Sequence, residues 1–195
     1  MFDRTHKILK CWLALAALGC ASALGAQTAA APSTQSPAAT AVPAQEWKTY
    51  SYADAGFSIS YPSEPEIQKS SIPTEAGSFE LSSYIAEIPQ GALVAAVCDY
   101  GSALAGKDTG EALQGAKEGA LANSHAHLIS EKKITLGSNP GLEFEAESET
   151  AHFSARIYLV GSKLYQMLIV SPINKPYSSA ARFLDSFQLI AKAPK

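Results

Sequence analysis

Four glutamates alternate with small or apolar residues in the C-terminal half of the chain. In the segment LEFEAESE they are Glu143, Glu145, Glu147 and Glu149. Side chains two residues apart on a β-strand share a face, so a strand here would align the four carboxylates. Such a row can bind a cation or supply paired carboxylates for acid–base chemistry. It is also typical of the solvated face of an antiparallel strand with Arg156 and His152 as cross-strand partners. We favour this second interpretation, because exposed ion pairs contribute less than ~1 kcal/mol and imply no function.

His125 and His127 form a second candidate group, as metal ligands. Their side chains would share a face if the segment were extended. On a helix, residues two apart do not face each other. The pair falls near the end of a predicted helix, where histidine is favoured by the negative end of the helix dipole. Because the sequence places no third ligand beside them, we predict neither a metal site nor a cofactor.

Cys98 is the third candidate, as a thiol nucleophile activated by a histidine. It ends the apolar run ALVAAVC, and no signature of a cysteine enzyme surrounds it. A buried, inert cysteine is therefore the prediction. The chain also lacks a Gly-x-Ser-x-Gly elbow, a phosphate loop, a dinucleotide fingerprint and a Cys-x-x-Cys motif. We accordingly predict no catalytic, cofactor-binding or metal-binding residue.

The glutamate segment and the following HFSARIYLV (152–160) predict a β-hairpin. With Thr150 and Ala151 as the turn, polar pairs fall on one face and apolar pairs on the other. The predicted polar pairs are Glu149 with His152, Glu147 with Ser154 and Glu145 with Arg156. The predicted apolar pairs are Ala146 with Ala155, Phe144 with Ile157 and Leu142 with Leu159. A second tight turn is predicted at Gly161 and Ser162.

The other strands follow from the spacing of apolar residues. Alternation predicts strands at 47–52, 57–61, 79–88 and 130–136, with a loop at 137–141. The strand at 57–61 should have one buried face and end at Pro62, because proline cannot donate to the ladder. Continuous apolar runs at 92–100 and 164–170 predict strands covered on both faces.

Two segments have helical spacing. The first is 108–128, which opens with Asp108 and Glu111 as a capping box, and the second is 176–187. The predicted fold class is therefore α+β, a mostly antiparallel sheet flanked by helices.

The first 26 residues predict a secretory signal peptide. Arg4, Lys7 and Lys10 form a basic start, and the apolar stretch 11–24 is shorter than the ~20 residues that span a bilayer. Cleavage after Gly25 or Ala26 fits the small residues there. The predicted location is therefore outside the cytoplasm, periplasmic or secreted.

Cys20 opens an alternative, because Ala-Leu-Gly-Cys at 17–20 is similar to a bacterial lipobox. Lipidation of Cys20 would anchor the protein to the envelope membrane. Residues 27–45 contain only Ala, Pro, Ser, Thr, Gln and one Val, too little apolar surface to fold, and are predicted to be a disordered linker. A single domain is predicted for 46–195. Cys98 is then the one cysteine of the exported chain, so its core must hold the domain without an internal disulfide.

The charge balance disfavours polyanionic partners. Of the 15 Lys and Arg residues three lie in the leader, and of the 18 Asp and Glu residues one does, which leaves a net charge of −5 for the rest. No basic cluster is present, and phosphate contacts need clustered Lys and Arg. We predict no nucleic-acid partner, and membrane contact only if Cys20 is lipidated.

Two stretches resemble a known family. Gly-Phe-x-Ile-x-Tyr-Pro at 56–62 resembles the opening of PsbP-like domains, among them the extrinsic protein of the photosynthetic oxygen-evolving complex. GSKLYQMLIVSP followed by AARFLDSFQL is similar to the C-terminal part of secreted bacterial relatives of unknown function. The order of elements agrees from Trp47 to Ile190, while identities are confined to the two ends. The resemblance implies a PsbP-like layered sandwich and a binding or accessory role without catalysis.

The photosynthetic branch commonly has a tryptophan just after this motif, where this chain has Ser63, Glu64 and Pro65. No photosystem role and no functional residue are therefore carried over. The expected function is an exported, non-catalytic domain that binds an envelope protein or a small ligand. The alternatives are a thiol-dependent or other small hydrolase using Cys98 and a histidine, and a lipid-anchored structural factor.

Overall fold

The structure is a computed structural model that describes residues 46–74, 77–89 and 91–190. The predicted signal peptide, Cys20 and the linker at 27–45 lie outside the described residues. The N-terminal strands are β1 (Lys48–Tyr52), β2 (Phe57–Tyr61), β3 (Glu66–Thr74), β4 (Gly77–Ile88) and β5 (Gly91–Asp99). A 3-10 turn (Gly101–Leu104) and helix α1 (Thr109–Ser124) follow. The C-terminal half contains β6 (His127–Leu136), β7 (Asn139–Glu147), β8 (Ala151–Val160), β9 (Lys163–Pro172), α2 (Ala180–Asp185) and β10 (Gln188–Leu189).

The strands form two antiparallel sheets. The large sheet has seven strands in the order β3-β4-β5-β9-β8-β7-β6, and the small one has three in the order β1-β2-β10. Helix α1 covers one face of the large sheet, which we call the helix face, through Leu113, Ala116 and Ala120. The small sheet and α2 cover the opposite face, which we call the sandwich face, through Phe57, Ile59, Tyr61, Phe183 and Phe187. The protein is therefore a layered sandwich with two apolar cores.

The central strands β5 and β9 are covered on both faces, as their continuous apolar runs predict. Leu93 and Ala95 belong to the core on the sandwich face, and Val94 and Cys98 to the core on the helix face. In β9, Met167 and Leu168 divide in the same way. A strand without polar alternation is stable only where both of its sides are dry, and this position at the centre of the sandwich provides that.

The fold is dominated by sheet, and its helices are few. Only one face of the large sheet is covered by a long helix, whereas the prediction had helices flanking the sheet generally. The small sheet covers the other face because Phe57, Ile59 and Tyr61 are less than 2% exposed and need an apolar surface to pack against. No helix in the described residues is long and apolar enough to cross a bilayer.

Tyrosine hydroxyls fasten the two sheets together. Tyr61 of β2 donates a hydrogen bond to the carbonyl of Tyr84 in β4 (2.8 Å) and accepts one from the amide of Ala95 in β5 (3.1 Å). Tyr165 of β9 donates to the carbonyl of Ala55 (2.8 Å), in the turn before β2. Both sheets are thus joined by backbone-directed hydrogen bonds as well as by apolar contact.

The prediction of one buried face for β2 was wrong. Ser58, on the side away from the large sheet, is only 6% exposed. Beside it, β10 pairs with β2 at Ser58, and Ser186 accepts a hydrogen bond from the amide of Ser60 (2.9 Å).

The path of the chain differs from the prediction in two further places. Strand β3 was not predicted, because it is an edge strand whose polar residues show no alternation. The predicted loop at 137–141 is a tight turn at Gly137 and Ser138, with Asn139 and Pro140 already paired in β7. Pro140 is tolerated in the strand near its end, where one missing N–H costs little.

The β7–β8 hairpin differs from the prediction by one turn position. Glu149 and Thr150 form the turn, so Glu147 pairs with His152 and Glu145 with Ser154. The other observed pairs are Glu143 with Arg156, Ala146 with Phe153, Phe144 with Ala155 and Leu142 with Ile157. Each residue keeps its predicted face because the register moves by two, but every predicted pair is wrong.

The two helices are shorter than predicted. Helix α1 begins after Asp108, whose side chain accepts a hydrogen bond from the amide of Glu111 (2.9 Å), as the capping prediction requires. It ends at Ser124, since His125 adopts a left-handed conformation (φ 50°). Helix α2 covers only 180–185, and it buries Phe183 and Leu184 whereas the predicted contact residue Ala181 is exposed.

Candidate functional site

A group of interacting polar side chains lies on the sandwich face of β7 and β8, beside α2. We call it the polar track and define it as Glu143, Glu145, Glu147, His152, Ser154 and Arg156. The strand alternation that predicted a shared face for the glutamates is confirmed for three of them. Glu149 lies in the turn and is not part of the row.

Arg156 occupies the inner end of the track, next to α2. Its Nε contacts Glu143, and its Nη1 donates to Asp185 of α2 at 2.6 Å. Lys132 of β6 contacts the other carboxylate oxygen of Glu143, also at 2.6 Å. Burial acts to raise the pKa of Glu143, but hydrogen bonds from Lys132 and Arg156 outweigh it and lower the pKa below its usual value. This end of the track is a compensated ion-pair network that ties the hairpin to α2.

His152 occupies the outer end, between two carboxylates. Its Nε2 lies 2.8 Å from Glu145 and its Nδ1 lies 3.2 Å from Glu147. Ser154 donates a hydrogen bond to the same oxygen of Glu145 at 2.7 Å. Each ring nitrogen of His152 thus lies against a glutamate of β7, and the two carboxylates have a partner in the protein.

Ser171 of β9 lies directly opposite His152 in the ladder and is 4% exposed. Its hydroxyl has no hydrogen-bond partner among the described residues. A serine beside a histidine and a carboxylate is the composition of a hydrolytic triad. Here the hydroxyl is inaccessible to a substrate, and both ring nitrogens face glutamates. The arrangement is therefore not assembled for nucleophilic attack.

The polar track also lacks the geometry of a metal centre. Within the described residues, no group of three or more His, Cys, Asp or Glu side chains is arranged to hold a metal ion. Of the two histidines predicted as possible ligands, His125 caps the C-terminus of α1 and His127 begins β6.

Cys98 is a buried thiol on the helix face, 2% exposed, as its apolar surroundings predict. His152 lies on the opposite face of the sheet. Along the strands, Cys98 aligns with Leu164 in β9 while His152 aligns with Ser171, seven residues further on. At about 3.3 Å per residue that separation is about 23 Å. The structure therefore does not bring Cys98 and His152 together.

The loop between β5 and α1 has one feature of a phosphate loop, with Gly101, Gly106 and Lys107 at the required spacing after a strand and before a helix. The pattern then requires Ser or Thr, and this chain has Asp108. The Asp108 carboxylate already accepts from the amide of Glu111 at the helix N-terminus. Because an anion of the protein occupies the place where a phosphate would bind, this loop is a helix cap.

A small cleft lies between the C-terminal end of α1 and the helix face. It is lined by apolar side chains together with Ser124 and Gln166, and its cavity volume is about 10 Å³. That is room for about one water molecule. The cleft is too small to bind an organic ligand.

Sequence reasoning missed the contacts that link distant elements. Lys117 of α1 is paired with Glu131 of β6, which also accepts from Gln114 at 2.8 Å. The contact of Arg156 with Asp185 and the position of Ser171 were also missed. One signal was present, a lysine at the buried helical position Lys117, which requires a carboxylate nearby. Nothing in the sequence identified which one.

Comparison with known proteins bears on the fold alone. No family model matches the chain, and no curated protein matches it. Among solved structures, it is similar to the solution structure of cyanobacterial PsbP (CyanoP) from Synechocystis sp. PCC 6803. The TM-score is 0.54 at 12% identity, over 78% of this chain and 97% of that one. The chain therefore has a PsbP-like fold, as its two motifs imply.

Proposed function

We propose that this protein is an exported, non-catalytic binding domain of the bacterial cell envelope, whose partner is another envelope protein or a small ligand. The observation that carries the proposal is the shared fold, which covers 97% of the cyanobacterial PsbP chain. PsbP-like domains are expected to act as accessory factors, and that expectation is the basis for assigning a binding role here.

The state of the reactive side chains supports the non-catalytic part of the proposal. Cys98 is buried, and Ser171 is inaccessible. Glu143, Glu145 and His152 are engaged by partners in the protein. A catalytic site needs an accessible nucleophile or an acid–base pair at a cleft. Among the described residues, the charged side chains of the polar track are instead paired with one another, with Lys132 and with Asp185.

The alternative, a thiol enzyme that uses Cys98 and a histidine, makes a different prediction about reactivity. The experiment is to mix the folded protein with an excess of a thiol reagent and follow the mass of the chain. We expect labelling of Cys98 to require unfolding, because the thiol is 2% exposed. The same reagent in concentrated urea is the control. Rapid labelling of the folded protein would overturn the non-catalytic proposal.

The location and the binding role require a second experiment. A tagged full chain is expressed in a bacterial host, cross-linked in intact cells, and purified from the periplasmic and membrane fractions. We expect an N-terminus near Ala26 or Gln27 and a cross-linked partner that the Cys98→Ala variant retains. A mass that includes a lipid on Cys20 would assign the anchored form. A chain with an intact leader in the cytoplasm, or a partner lost with Cys98, would contradict the proposal.

A further inference from the structure

The large sheet ends in two strands, β3 and β6, that each pair with only one neighbour among the described residues. The exposed large hydrophobic side chains of the described residues all lie on these two strands. They are Ile67 on β3 and Leu128 and Ile129 on β6. Unpaired N–H and C=O groups on an edge strand are a template for another strand, and apolar side chains beside them strengthen the pairing.

Strand β6 is the more extensive of these edges. It has ten residues, of which His127 to Lys133 are exposed as whole residues, although the side chain of Glu131 is only 22% exposed because it contacts α1. At about 3.4 Å per residue its edge is about 34 Å long. A bulge at Ile129 interrupts the register with β7, and from Ser130 onward the strand is regular. The outer side of β6 therefore offers a long, accessible edge.

The side chains of β6 are complementary to those of a second, antiparallel copy. A two-fold axis perpendicular to the sheet at Lys132 would place Glu131 of each copy opposite Lys133 of the other. Both residues lie on the helix face, because they alternate with Lys132, which contacts Glu143 on the sandwich face. The regular part of the pair runs from Ser130 to Ile134, because the bulge at Ile129 puts Leu128 on the helix face while Leu136 lies on the sandwich face. Glu131 stays bound to Lys117 and Gln114 of its own chain, and Lys133 of the other copy would add a further partner for its carboxylate. Opposite charges directly across a ladder stabilise it.

Lys132 is the residue that would face its own copy at the axis. Its amine is held by Glu143 at 2.6 Å, so each copy brings a compensated charge to that point. Lysines on an edge strand disfavour indiscriminate pairing. In this register Lys133 has a carboxylate opposite it, and so the edge favours its own copy over an unrelated strand.

We infer that two copies of this protein associate through β6, in an antiparallel two-fold pair that joins their large sheets. A two-fold contact of this kind uses the same surface on both copies and closes on itself. Pairing of β6 with β3 of another copy would instead leave free edges at both ends. The inference concerns self-association and does not depend on the proposed binding role.

The test is the mass of the purified protein by analytical ultracentrifugation over a range of concentrations. We expect the mass to rise from one chain to two, and not beyond. The Ile129→Lys variant should raise the dissociation constant at least about tenfold, because it replaces an exposed apolar side chain of this edge with a further positive charge beside Lys132 and Lys133. Ile67→Lys on β3 is the matched control, since both isoleucines are 52% exposed, and it should leave the dimer unchanged.

A second variant tests the charge pairing and guards against loss of folding in the first. Lys133→Glu should place four carboxylates at the axis and also raise the dissociation constant at least about tenfold, while Lys133→Arg should not. Circular dichroism checks that each variant is folded. A protein that remains a monomer at all concentrations would overturn the inference. So would a dimer that Ile67→Lys dissociates, or one that Ile129→Lys and Lys133→Glu both leave intact.

Discussion

At the scale of single residues, the motif at 56–62 has a physical reason at each position. Gly56 has a φ of 87°, and a side chain on it would lie 3.1 Å from the hydroxyl of Tyr165. Phe57 and Ile59 pack against the large sheet, and Tyr61 carries its hydroxyl into the space between β4 and β5. The residues of the motif therefore pack the small sheet against the large sheet, and they include no reactive group.

We expect Tyr61→Phe to lower the free energy of unfolding by about 1–3 kcal/mol. The change leaves the carbonyl of Tyr84 and the amide of Ala95 without their partner in the interior, and an unsatisfied buried group costs about that much. Urea unfolding followed by circular dichroism measures it. Tyr50→Phe, on the neighbouring strand β1 and only half-buried, is the control and should change stability by less than about 0.5 kcal/mol. Equal effects of the two changes would show that the hydroxyl of Tyr61 has no special role.

At the scale of elements, the predictions depended on how local each signal was. The cap of α1 was predicted correctly because Asp108 and the amide that it binds are three residues apart. The end of α1 was not predicted correctly. The left-handed residue that follows it is His125, whereas the usual sequence signal for such a residue is a glycine. Strands with alternating residues were found, whereas the polar edge strand β3 was missed.

Replacing Asp108 with Ala should lower the free energy of unfolding by about 0.5–2 kcal/mol. The amide of Glu111 would lose its acceptor, and the N-terminus of the 16-residue helix α1 would lose a favourable negative charge. Thermal unfolding of the two proteins measures the difference. Asp108→Asn keeps an acceptor oxygen and should retain most of the stability. If Asn destabilised as much as Ala, the cap would not be the cause.

At the scale of the whole molecule, a small number of ion pairs connect layers that the chain does not connect directly. Lys117 and Glu131 join the helix layer to the edge of the large sheet, and both side chains are largely buried, at 10% and 22% exposed. Arg156 and Asp185 join the large sheet to α2. These pairs differ from Lys69 and Glu80, which lie 3.4 Å apart and have side chains that are 66% and 67% exposed.

The Lys117–Glu131 pair predicts a dependence of stability on pH. The hydrogen bond from Lys117, followed by that from Gln114, lowers the pKa of Glu131 in the folded protein. In the unfolded chain this carboxyl titrates near its usual value of about 4.3. A lowered folded-state pKa contributes stability that is complete above the unfolded value and is lost as the pH falls through the folded value. We therefore expect stability to fall as the pH drops below about 5.

The measurement is urea unfolding at a series of pH values between neutral and acid. Glu143 and Asp99, whose pKa values are also lowered in the folded protein, act in the same direction. Lys117→Met should reduce the loss of stability at acid pH, because it removes the hydrogen bond that contributes most to the lowered pKa of Glu131. Lys69→Met is the control at an exposed pair and should leave the pH profile unchanged. An identical profile for Lys117→Met and the unmodified protein would refute this assignment.

The features of the fold that could be predicted were those that depend on patterns of residues close together in the sequence. Alternation at 142–147 determined which side chains share a face, and continuous apolar runs identified β5 and β9 as strands covered on both sides. These properties depend on the direction in which each side chain points, and that direction repeats along the strand itself.

Only the tertiary structure decided which residues are partners. The hairpin register could move by two without changing any face, so alternation alone could not distinguish Glu145 with Arg156 from the observed Glu143 with Arg156. Likewise, the sequence allowed Cys98 and His152 to be proposed as one thiol site. In the structure they are far apart, because they occupy different faces and different ends of the large sheet. The sequence determined the faces and the cores of this protein, because those are local. The tertiary structure decided which strands and which charged residues pair. It also decided that no reactive group is assembled among the described residues, because all of these properties depend on strands that are distant along the chain.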